Sequence, residues 1–322
     1  MNDVSLAGLT LGVRQGAHPA YIRGYGLADI RARVPAQANT VYEIASLTKQ
    51  FTAAAIMQLA EQGKLELNAP AARYLPELPQ VAQSITVRQL LNHTSGLPRY
   101  DYLYVMLNRL EPYPPSAVLA AYEQSLTSLS FDPGSAWEYS NMGYFILGAI
   151  IEVVSGQSYR DYMAQHVFSA AGLTSTGYCV EPPADLAQSY LVGGSAWQTI
   201  MPENLSLAFA AGGLCSTVSD LLAWQQALAT GRVVTAGSYQ AMTSPGTLPD
   251  GTSTYYGYGL KIGDYGGHPA IYHQGLITGF ASVVAYFPDD DTTIVLLTNT
   301  QAQVDSLDDA VSLIRTRVSA RP

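Results

Sequence analysis

The sequence predicts an α+β fold, an α/β sandwich in which an antiparallel sheet from the N- and C-terminal strands is flanked by helices and carries a mostly α-helical insertion. Three observations support this prediction. Segments with alternating apolar residues lie at both ends of the chain, helical periodicity dominates its middle, and 48% of the 322 residues are hydrophobic. Strands at the two ends of a chain can pair in one sheet and leave the middle as an insertion. The apolar content also excludes intrinsic disorder.

The first elements of this fold are a hairpin and a long helix. Residues Val4–Val13 and Pro19–Gly26 alternate apolar with small or polar residues on either side of a break at 16–18, which is typical of two paired strands. The segment Ser46–Leu65 has apolar residues at helical spacing, and Gly63 stands where a left-handed residue would end the helix.

Helical segments separated by proline and glycine loops fill the chain from about residue 68 to 240. The clearest are Val87–Asn92, Ser116–Leu126, Asn141–Gly156, Tyr159–Ala171 and Val218–Ala229. Beyond Tyr255 the period changes to two. The expected strands there are Gly257–Ile262, Ile271–His273, Phe280–Phe287 and Thr292–Asn299, with a turn at 288–291 and a closing amphipathic helix, Ser306–Ala320.

We expect a single domain over residues 1–322, because no repeat, low-complexity tract or linker interrupts the chain. Within it, residues 1–67 and 241–322 are expected to form an α/β part. Residues 68–240 are expected to form the mostly helical part, and a cleft is expected between the two.

Composition and charge exclude two kinds of partner. A formal net charge of −9 argues against nucleic acid, which is bound largely through Lys and Arg. The best membrane-span candidate, Tyr144–Val154, is about half the length of ~20 residues that a membrane span needs, and it contains Glu152.

No secretory signal opens the chain, so localisation stays open: periplasmic or secreted if the N-terminus was trimmed, otherwise cytoplasmic. Cys179 and Cys215 have no motif spacing, which favours two buried thiols over an isolated disulfide.

Ser46 and Lys49 open the predicted helix three residues apart, so their side chains share a helix face. A serine hydroxyl becomes a nucleophile when a base takes its proton, and a desolvated lysine with a lowered pKa can do so. The free N–H groups and the positive dipole at a helix N-terminus suit an oxyanion. Taken alone, the same pattern also fits a serine that caps a helix beside a solvated lysine.

Tyr139 and Asn141 lie where a loop enters the predicted helix Asn141–Gly156. A neighbouring cation lowers the pKa of a tyrosine from its ordinary value of about 10, and the phenol can then transfer protons. The asparagine amide can donate to a substrate carbonyl while it accepts from Lys49. The structural alternatives are a tyrosine that packs a loop and an asparagine that caps a helix.

His273, Gln274 and Gly275 lie on a predicted strand that continues into Leu276. Extended backbone can bind an acyl group as an added strand, and a glycine allows substrate to approach closely. The N–H of Leu276 is then a candidate oxyanion donor opposite the N–H of Ser46. Alternatively, His273 is a hydrogen-bonded structural residue.

In this order and spacing, these motifs resemble the class C β-lactamase and D-alanyl-D-alanine carboxypeptidase family of penicillin-recognising serine hydrolases. The resemblance runs from about Leu6 to Asn299. The segments that carry it are Ile44–Lys49, Leu90–Pro98, Tyr139–Asn141, Ala211–Leu214, Tyr256–Leu260 and His273–Gly275. The resemblance implies a β-lactamase/transpeptidase-like fold.

The resemblance also implies a role for each matching residue. Ser46 is the acylated nucleophile, Lys49 its partner, and Tyr139 a general base and acid, while Asn141 positions substrate. His273 stands where typical class C β-lactamases have lysine. A histidine at this position resembles certain D,D-peptidases, D-aminopeptidases and esterases of the same family. Because a histidine is largely neutral at pH 7, efficient hydrolysis of β-lactams is not expected.

The resulting hypothesis is a serine hydrolase that acts through an acyl-enzyme at Ser46 on amide, peptide or ester carbonyls. Within this class a D,D-peptidase or D-amino-acid peptidase, a carboxylesterase and a weak class C-like β-lactamase all stay open. The non-enzymatic alternative is a catalytically silent protein that binds peptidoglycan-like ligands. The expected partner is a small-molecule or peptide substrate, and the oligomeric state is not predicted.

The remaining candidates are given structural interpretations. His93 is expected to be a structural loop histidine. His268 and His273 have no acidic or thiol neighbours in sequence, so neither a metal site nor a cofactor is expected. Of the three lysines among the 16 cationic residues, Lys64 and Lys261 are expected at the surface.

Overall fold

The main sheet joins the two ends of the chain. The computed structural model describes residues 6–98, 107–193, 196–201, 203–301 and 304–319. The strands in these ranges are Gly8–Gln15 (β1), Tyr21–Asp29 (β2), Val34–Pro35 (β3), Tyr42–Glu43 (β4), Gly177–Tyr178 (β5), Tyr190–Gly193 (β6), Ala196–Thr199 (β7), Leu214–Ser216 (β8), Lys261–Tyr265 (β9), His268–Ile277 (β10), Phe280–Phe287 (β11) and Thr292–Thr298 (β12). Seven of them form one sheet in the order β3-β2-β1-β12-β11-β10-β9.

Every strand pair in this sheet is antiparallel, and the terminal segments pair directly. Strand β1 lies against β12 in a register that runs from Leu9↔Thr298 to Gln15↔Thr292. The predicted sheet of N- and C-terminal strands is therefore confirmed. The first two residues of the predicted strand Val4–Val13 lie outside the described residues.

The predicted helices are confirmed, with small differences at their ends. In chain order the helices are Thr48–Glu61 (α1), Val87–Leu91 (α2), Pro115–Ser125 (α3), Asn141–Ser155 (α4), Tyr159–Tyr162 (α5), Ser169–Ala171 (α6), Phe209–Gly212 (α7), Val218–Ala229 (α8), Ala236–Met242 (α9) and Val304–Ser319 (α10). A π-helical segment, Met163–Phe168, connects α5 to α6, and short 3₁₀ helices lie at Ala45–Leu47, Ala71–Arg73 and Gln80–Ala82. The predicted end of the last helix at Ala320 lies outside the described residues.

Helices cover both faces of the sheet. On one face, Val284 and Val295 join the large core that surrounds α1, α4 and α8. On the other face, Val283 and Ile294 pack with Val311 of α10. Strands β11 and β12 are buried on both faces, which explains their nearly continuous apolar sequences. The result is the predicted α/β sandwich.

The strand expected at Gly257–Ile262 begins later, at Lys261, and this prediction is corrected. Residues 257–260 form a loop in which Gly257 N–H donates to Leu260 O at 2.8 Å. Gly259 has φ +72°, and a Cβ at this position would lie 2.6 Å from Lys49 O. The loop therefore packs on α1 at a distance that only glycine allows.

Short strands that the sequence did not predict bring the two cysteines together. Strand β8 pairs with β4 and with β5, and Gly177 lies opposite Cys215. Cys179 and Cys215 form a disulfide with their Cα atoms 5.6 Å apart. The expectation of two buried thiols is therefore wrong, because pairing of β5 with β8 places residues 36 positions apart side by side.

Within the described ranges, none of the helices is both long enough and apolar enough to cross a bilayer. The best candidate for a membrane span in the sequence is Tyr144–Val154, and it is predicted not to be one. That segment lies within α4 and is largely buried in the protein core.

Candidate active site

Ser46 is the only residue between Val41 and Leu59 that is not buried. It lies in the 3₁₀ helix Ala45–Leu47, directly before α1. It opens onto a small depression of about 60 Å³, whose other lining residues are Ala45, Asn141, Ala208, Ala211, Gly212, Leu276 and Ile277. The predicted nucleophile is thus accessible at the start of an otherwise buried helix.

Lys49 lies beneath Ser46 and is completely buried. Its Nζ donates to Ser46 Oγ at 3.1 Å, to Asn141 Oδ1 at 2.7 Å and to Ala211 O at 2.7 Å. Burial lowers the pKa of Lys49 well below its ordinary range, and the positive charge of Lys261 lowers it further. A lowered pKa makes the neutral amine, which can accept the serine proton, available closer to neutral pH.

Tyr139 lies in the loop before α4, and its hydroxyl is buried without a hydrogen-bond partner among the described residues. The Nζ of Lys49 lies 4.7 Å from the centre of its ring. Burial raises the pKa of Tyr139, and the nearby Ser46 hydroxyl offsets only part of this rise. The expectation that a neighbouring cation would favour the phenolate is therefore wrong in direction, because desolvation outweighs the charge.

Asn141 is the first residue of α4, and its side chain connects the lysine to the depression. Its Oδ1 accepts from Lys49, which leaves the amide nitrogen as the group that can donate to a substrate. The helix cap that the alternative interpretation gave to Asn141 belongs to Ser140, whose Oγ accepts from Gly143 N–H at 3.4 Å.

His273 lies on β10, is only 2% exposed, and has both ring nitrogens engaged. Its Nε2 lies 3.0 Å from the Tyr256 hydroxyl, and its Nδ1 lies 2.6 Å from Gln274 O. Burial lowers the pKa of His273 well below its usual range, and Lys261 and Lys49 act in the same direction. The neutral ring therefore donates through Nδ1 and accepts through Nε2, and it would reach a substrate only through Tyr256.

Gly275 and Leu276 follow His273 on the same strand. A Cβ on Gly275 would lie 2.4 Å from both Ile44 O and Ser282 Oγ. Access for substrate was the expected reason for a glycine at this position. The structure shows a different reason, because the absence of a side chain lets β10 approach the backbone just before Ser46. Leu276 is 46% exposed and lines the depression.

The structure brings into the site several groups that the sequence reasoning missed. Tyr144 and Tyr256 are buried aromatic residues around Tyr139, and Ala211 supplies a backbone carbonyl. His93 was expected to be structural, yet its ring centre lies 4.4 Å from that of Tyr139. The sequence could have pointed to His93 and Tyr256 as site residues, because both lie in segments that carry the family resemblance.

Backbone strain is concentrated around the site. Six non-glycine residues in the described ranges have positive φ, a conformation that side chains disfavour. Four of them are next to site residues: Ala45 (φ +48°), His93 (+62°), Phe209 (+39°) and Tyr255 (+52°). Such conformations persist only where the surroundings hold them, and they cluster at functional sites.

No three His, Cys, Asp or Glu side chains in the described part of the chain lie close enough together to hold a metal ion. The polar groups gathered around Ser46 are instead a lysine amine, a phenol, an amide and backbone groups. This set suits proton transfer to and from a serine hydroxyl.

Comparisons with known proteins found a family model, curated relatives and solved structures that are similar to this chain. A family model described as Beta-lactamase matches residues 1–316. A Bacillus subtilis (strain 168) relative whose name describes it as a penicillin-binding protein, PbpX, is 30% identical over 305 residues, which cover 94% of this chain and 72% of the relative. A D-aminopeptidase of Brucella anthropi is 27% identical over 280 residues, which cover 85% of this chain but only 52% of that enzyme.

Solved structures share the fold. The crystal structure of a penicillin binding protein from Bacillus halodurans superposes with a TM-score of 0.82 at 27% identity, covering 95% of this chain and 96% of that one.

Proposed function

The chain belongs to the Beta-lactamase family, and from this premise we propose that it is a serine hydrolase that forms an acyl-enzyme at Ser46. The observation that most supports the proposal is the position of Lys49. The completely buried Nζ lies 3.1 Å from Ser46 Oγ and donates to Asn141 Oδ1 and Ala211 O. In the neutral amine, which the lowered pKa favours, these two contacts use both N–H groups and leave the lone pair to accept the serine proton. The proposal takes residues 1–322 as one catalytic domain.

The first step is attack of Ser46 Oγ on a substrate carbonyl carbon, while the hydroxyl proton moves to Lys49 Nζ. The backbone N–H groups of Ser46 and Leu276 hold the oxyanion that forms. Two features favour this role: Ser46 lies at a helix start, where N–H groups lack helical partners, and Leu276 lines the same depression.

The second step is collapse of the tetrahedral intermediate with loss of the leaving group. Tyr139, which burial keeps protonated, donates its phenolic proton to the departing atom, and the ammonium of Lys49 returns a proton to the phenolate. Water then attacks the acyl-enzyme, its proton passes to Lys49, and Ser46 recovers its hydroxyl. The net reaction is hydrolysis, with every proton accounted for.

As substrates we propose amides or short peptides of D-amino acids, in line with the D-aminopeptidase relative. The lining of the depression is small or apolar apart from Ser46 and Asn141. The neutral, fully hydrogen-bonded His273 offers no positive charge to a β-lactam carboxylate. Substrate binding by His273 and Gly275 stays a prediction, and in our proposal both act by shaping the wall beside Ser46.

A carboxylesterase is the second candidate, because the same neutral, partly apolar lining suits an uncharged acyl group. A weak β-lactamase and a silent ligand-binding protein also stay open. These candidates differ from the main proposal in which reagents acylate Ser46 and whether the acyl group is released.

The test is intact-mass analysis after exposure to a fluorophosphonate and, separately, to a fluorescent penicillin, with Ser46→Ala as control. We expect a fluorophosphonate adduct that the Ser46→Ala variant lacks. No adduct with either reagent would refute the enzyme and favour the silent binding protein. Turnover of D-alanine p-nitroanilide, D-Ala-D-Ala peptides and p-nitrophenyl esters then separates peptidase from esterase.

A further inference from the structure

We propose that His93 is a positioning residue that fixes the phenol of Tyr139 beside Ser46 and Lys49, and that it does so as a neutral imidazole whose Nδ1 accepts a hydrogen bond. The inference rests on the proposed function, because the position of Tyr139 matters to the reaction only if Ser46 reacts. His93 itself would touch neither substrate nor the reacting atoms.

Two hydrogen bonds to His93 bracket Tyr139. The N–H of Glu138 donates to His93 O at 3.0 Å, and the N–H of Ser140 donates to His93 Nδ1 at 3.1 Å. The residues on both sides of Tyr139 are thus tied to one histidine, one through its backbone and one through its side chain. Loss of the side-chain bond would release the loop on the side that leads into α4.

The His93 ring also packs directly on the phenol. The His93 and Tyr139 ring centres lie 4.4 Å apart, and those of Tyr256 and Tyr144 lie 4.6 and 5.2 Å from His93. His93 is completely buried in this aromatic cluster. Because the Tyr139 hydroxyl has no well-formed hydrogen bond in the described ranges, these contacts with the loop and the ring contribute to its orientation.

The backbone of His93 is held in a conformation that favours this contact. Its φ is +62°, in the left-handed region that non-glycine residues seldom adopt, although asparagine, aspartate and histidine are found there more often than other side chains. Here this conformation lets the carbonyl and Nδ1 of the same residue face the Tyr139 loop.

The hydrogen bond also defines the state of the ring. Because Nδ1 accepts from Ser140 N–H, the ring proton is on Nε2, which is buried without a partner among the described residues. Protonation of the ring would put a hydrogen on Nδ1, which would then face the N–H of Ser140 with no acceptor between the two donors. Burial lowers the pKa of His93 well below its usual range.

Titratable neighbours reinforce the neutral state. Lys49 on α1, His273 on β10 and Lys261 on β9 each lower the pKa of His93 further, since a proton on any of them would repel a second proton on the His93 ring. The groups in contact with the ring are the phenols of Tyr139, Tyr144 and Tyr256 and the indole of Trp137, which are neutral at ordinary pH.

Two substitutions separate the hydrogen bond from the packing. His93→Asn keeps an acceptor near the Nδ1 position and tolerates positive φ, but it loses the ring. His93→Phe keeps a ring but has no acceptor. Hydrolysis of phenyl acetate and p-nitrophenyl acetate is measured for both variants, since these esters share an acyl group and differ in how much the leaving group needs a proton.

We expect His93→Phe to lower kcat for phenyl acetate by about 10- to 100-fold with little change in KM, and to affect p-nitrophenyl acetate much less. His93→Asn should stay within a few-fold of the wild type on both esters. The reverse order, an active Phe variant and an impaired Asn variant, would assign His93 to packing alone and overturn the inference.

Fluorophosphonate labelling distinguishes failure of the inference from failure of the proposed function. Labelling of Ser46 in the wild type supports the proposed function, because fluoride leaves without a proton from Tyr139. If the wild type is not labelled, the proposed function fails and the inference with it. If the wild type and His93→Phe are labelled and hydrolyse phenyl acetate equally well, only the inference fails.

A measurement on the unaltered protein keeps the inference testable even if the Phe variant does not fold. In a ¹⁵N-histidine spectrum at pH 7, the His93 signals, identified by their loss in His93→Asn, should show a bare Nδ1 and a protonated Nε2. A protonated Nδ1 would exclude the hydrogen bond from Ser140 and overturn the inference.

Discussion

The Nζ of Lys49 and the Oγ of Ser46 lie 3.1 Å apart at the start of α1, and the same Nζ also contacts Asn141 and Ala211. The amine is thereby fixed by three contacts from three parts of the chain. Because the first contact spans a single helical turn, the Ser-x-x-Lys spacing alone already predicts it.

We predict that Lys49→Met lowers the rate of Ser46 acylation by a factor of about 10² to 10⁴, because the hydroxyl loses the base that takes its proton. Methionine fills a similar volume and removes a buried amine that is costly to desolvate, so the protein should stay folded. The measurement is the second-order rate of fluorophosphonate labelling, with thermal unfolding as a fold check.

The matched control is Lys64→Met, since Lys64 is exposed. It should be labelled at the wild-type rate. A Lys49→Met variant that is labelled as fast as this control would contradict the role given to Lys49.

We predict that Tyr139→Phe lowers activity but not stability. The hydroxyl has no hydrogen-bond partner in the described residues, so its removal should leave the free energy of unfolding unchanged or raise it by about 1 kcal/mol. Turnover of phenyl acetate should fall about 10²-fold or more, because the leaving group loses its proton donor. Kinetics and chemical denaturation of the same samples provide both readouts.

Tyr159→Phe is the matched control, since Tyr159 is also buried but its hydroxyl is hydrogen-bonded to Thr52 Oγ1 at 2.8 Å. This variant should lose about 1 kcal/mol of stability and keep its activity. If Tyr139→Phe behaved in the same way, the phenol would be structural.

The sequence predicts those parts of the fold and site that depend on local periodicity or on residues close in the chain. The terminal strands, the long helices and the Ser46–Lys49 pair are of this kind. Tyr139, Asn141 and His273 are far from Ser46 in sequence, and it was the family resemblance that connected them with it.

The remaining features depend on long-range packing that no local pattern encodes. The disulfide requires β5 and β8 to pair, and Lys261 is half-buried where its amine reaches Gln274 on the neighbouring strand β10. The pKa of Tyr139 rises because of burial that only the folded chain produces. The role proposed for His93 depends on contacts with a loop more than 40 residues away.

The surface position expected for Lys261 is corrected by the structure, and a prediction follows from its actual position. Its Nζ donates to Gln274 Oε1 at 2.6 Å, on the sheet face that carries α10, and Gln274 in turn donates to Asp308 at 2.8 Å. Its positive charge lowers the pKa of Lys49 from across the sheet.

We predict that Lys261→Met raises the pKa of Lys49, because one cause of its depression is removed. Acylation needs the neutral amine, so the rate falls as the pH drops through this pKa. The acid limb of the pH–rate profile should therefore move to higher pH in the variant. The profile for fluorophosphonate labelling provides the measurement, and Lys64→Met should leave it unchanged. A shift to lower pH, or none, would contradict the electrostatic coupling.

The last prediction concerns Glu43, which ends β4 and is only 4% exposed. Burial, with a smaller contribution from the negative charge of Glu203, raises the pKa of Glu43 from an ordinary 4.5 to about 8. The folded protein therefore holds this proton between about pH 4.5 and 8, whereas the unfolded chain releases it. Over that range the free energy of unfolding falls as pH rises, by at most about 5 kcal/mol in total.

Glu43→Gln imitates the protonated carboxyl at every pH and should remove this loss of stability. We expect the variant and the wild type to unfold at similar denaturant concentrations at pH 4.5. Between pH 4.5 and 8 the variant should become progressively more stable than the wild type. Above pH 8 the difference in stability should grow no further. Glu123→Gln, a change at an exposed glutamate on α3, should show no such trend. If the difference in stability between Glu43→Gln and the wild type were constant across this range, the pKa of Glu43 would be the same in the folded and unfolded protein, which would contradict the prediction. Only a carboxyl whose pKa differs between the two states makes their relative stability depend on pH.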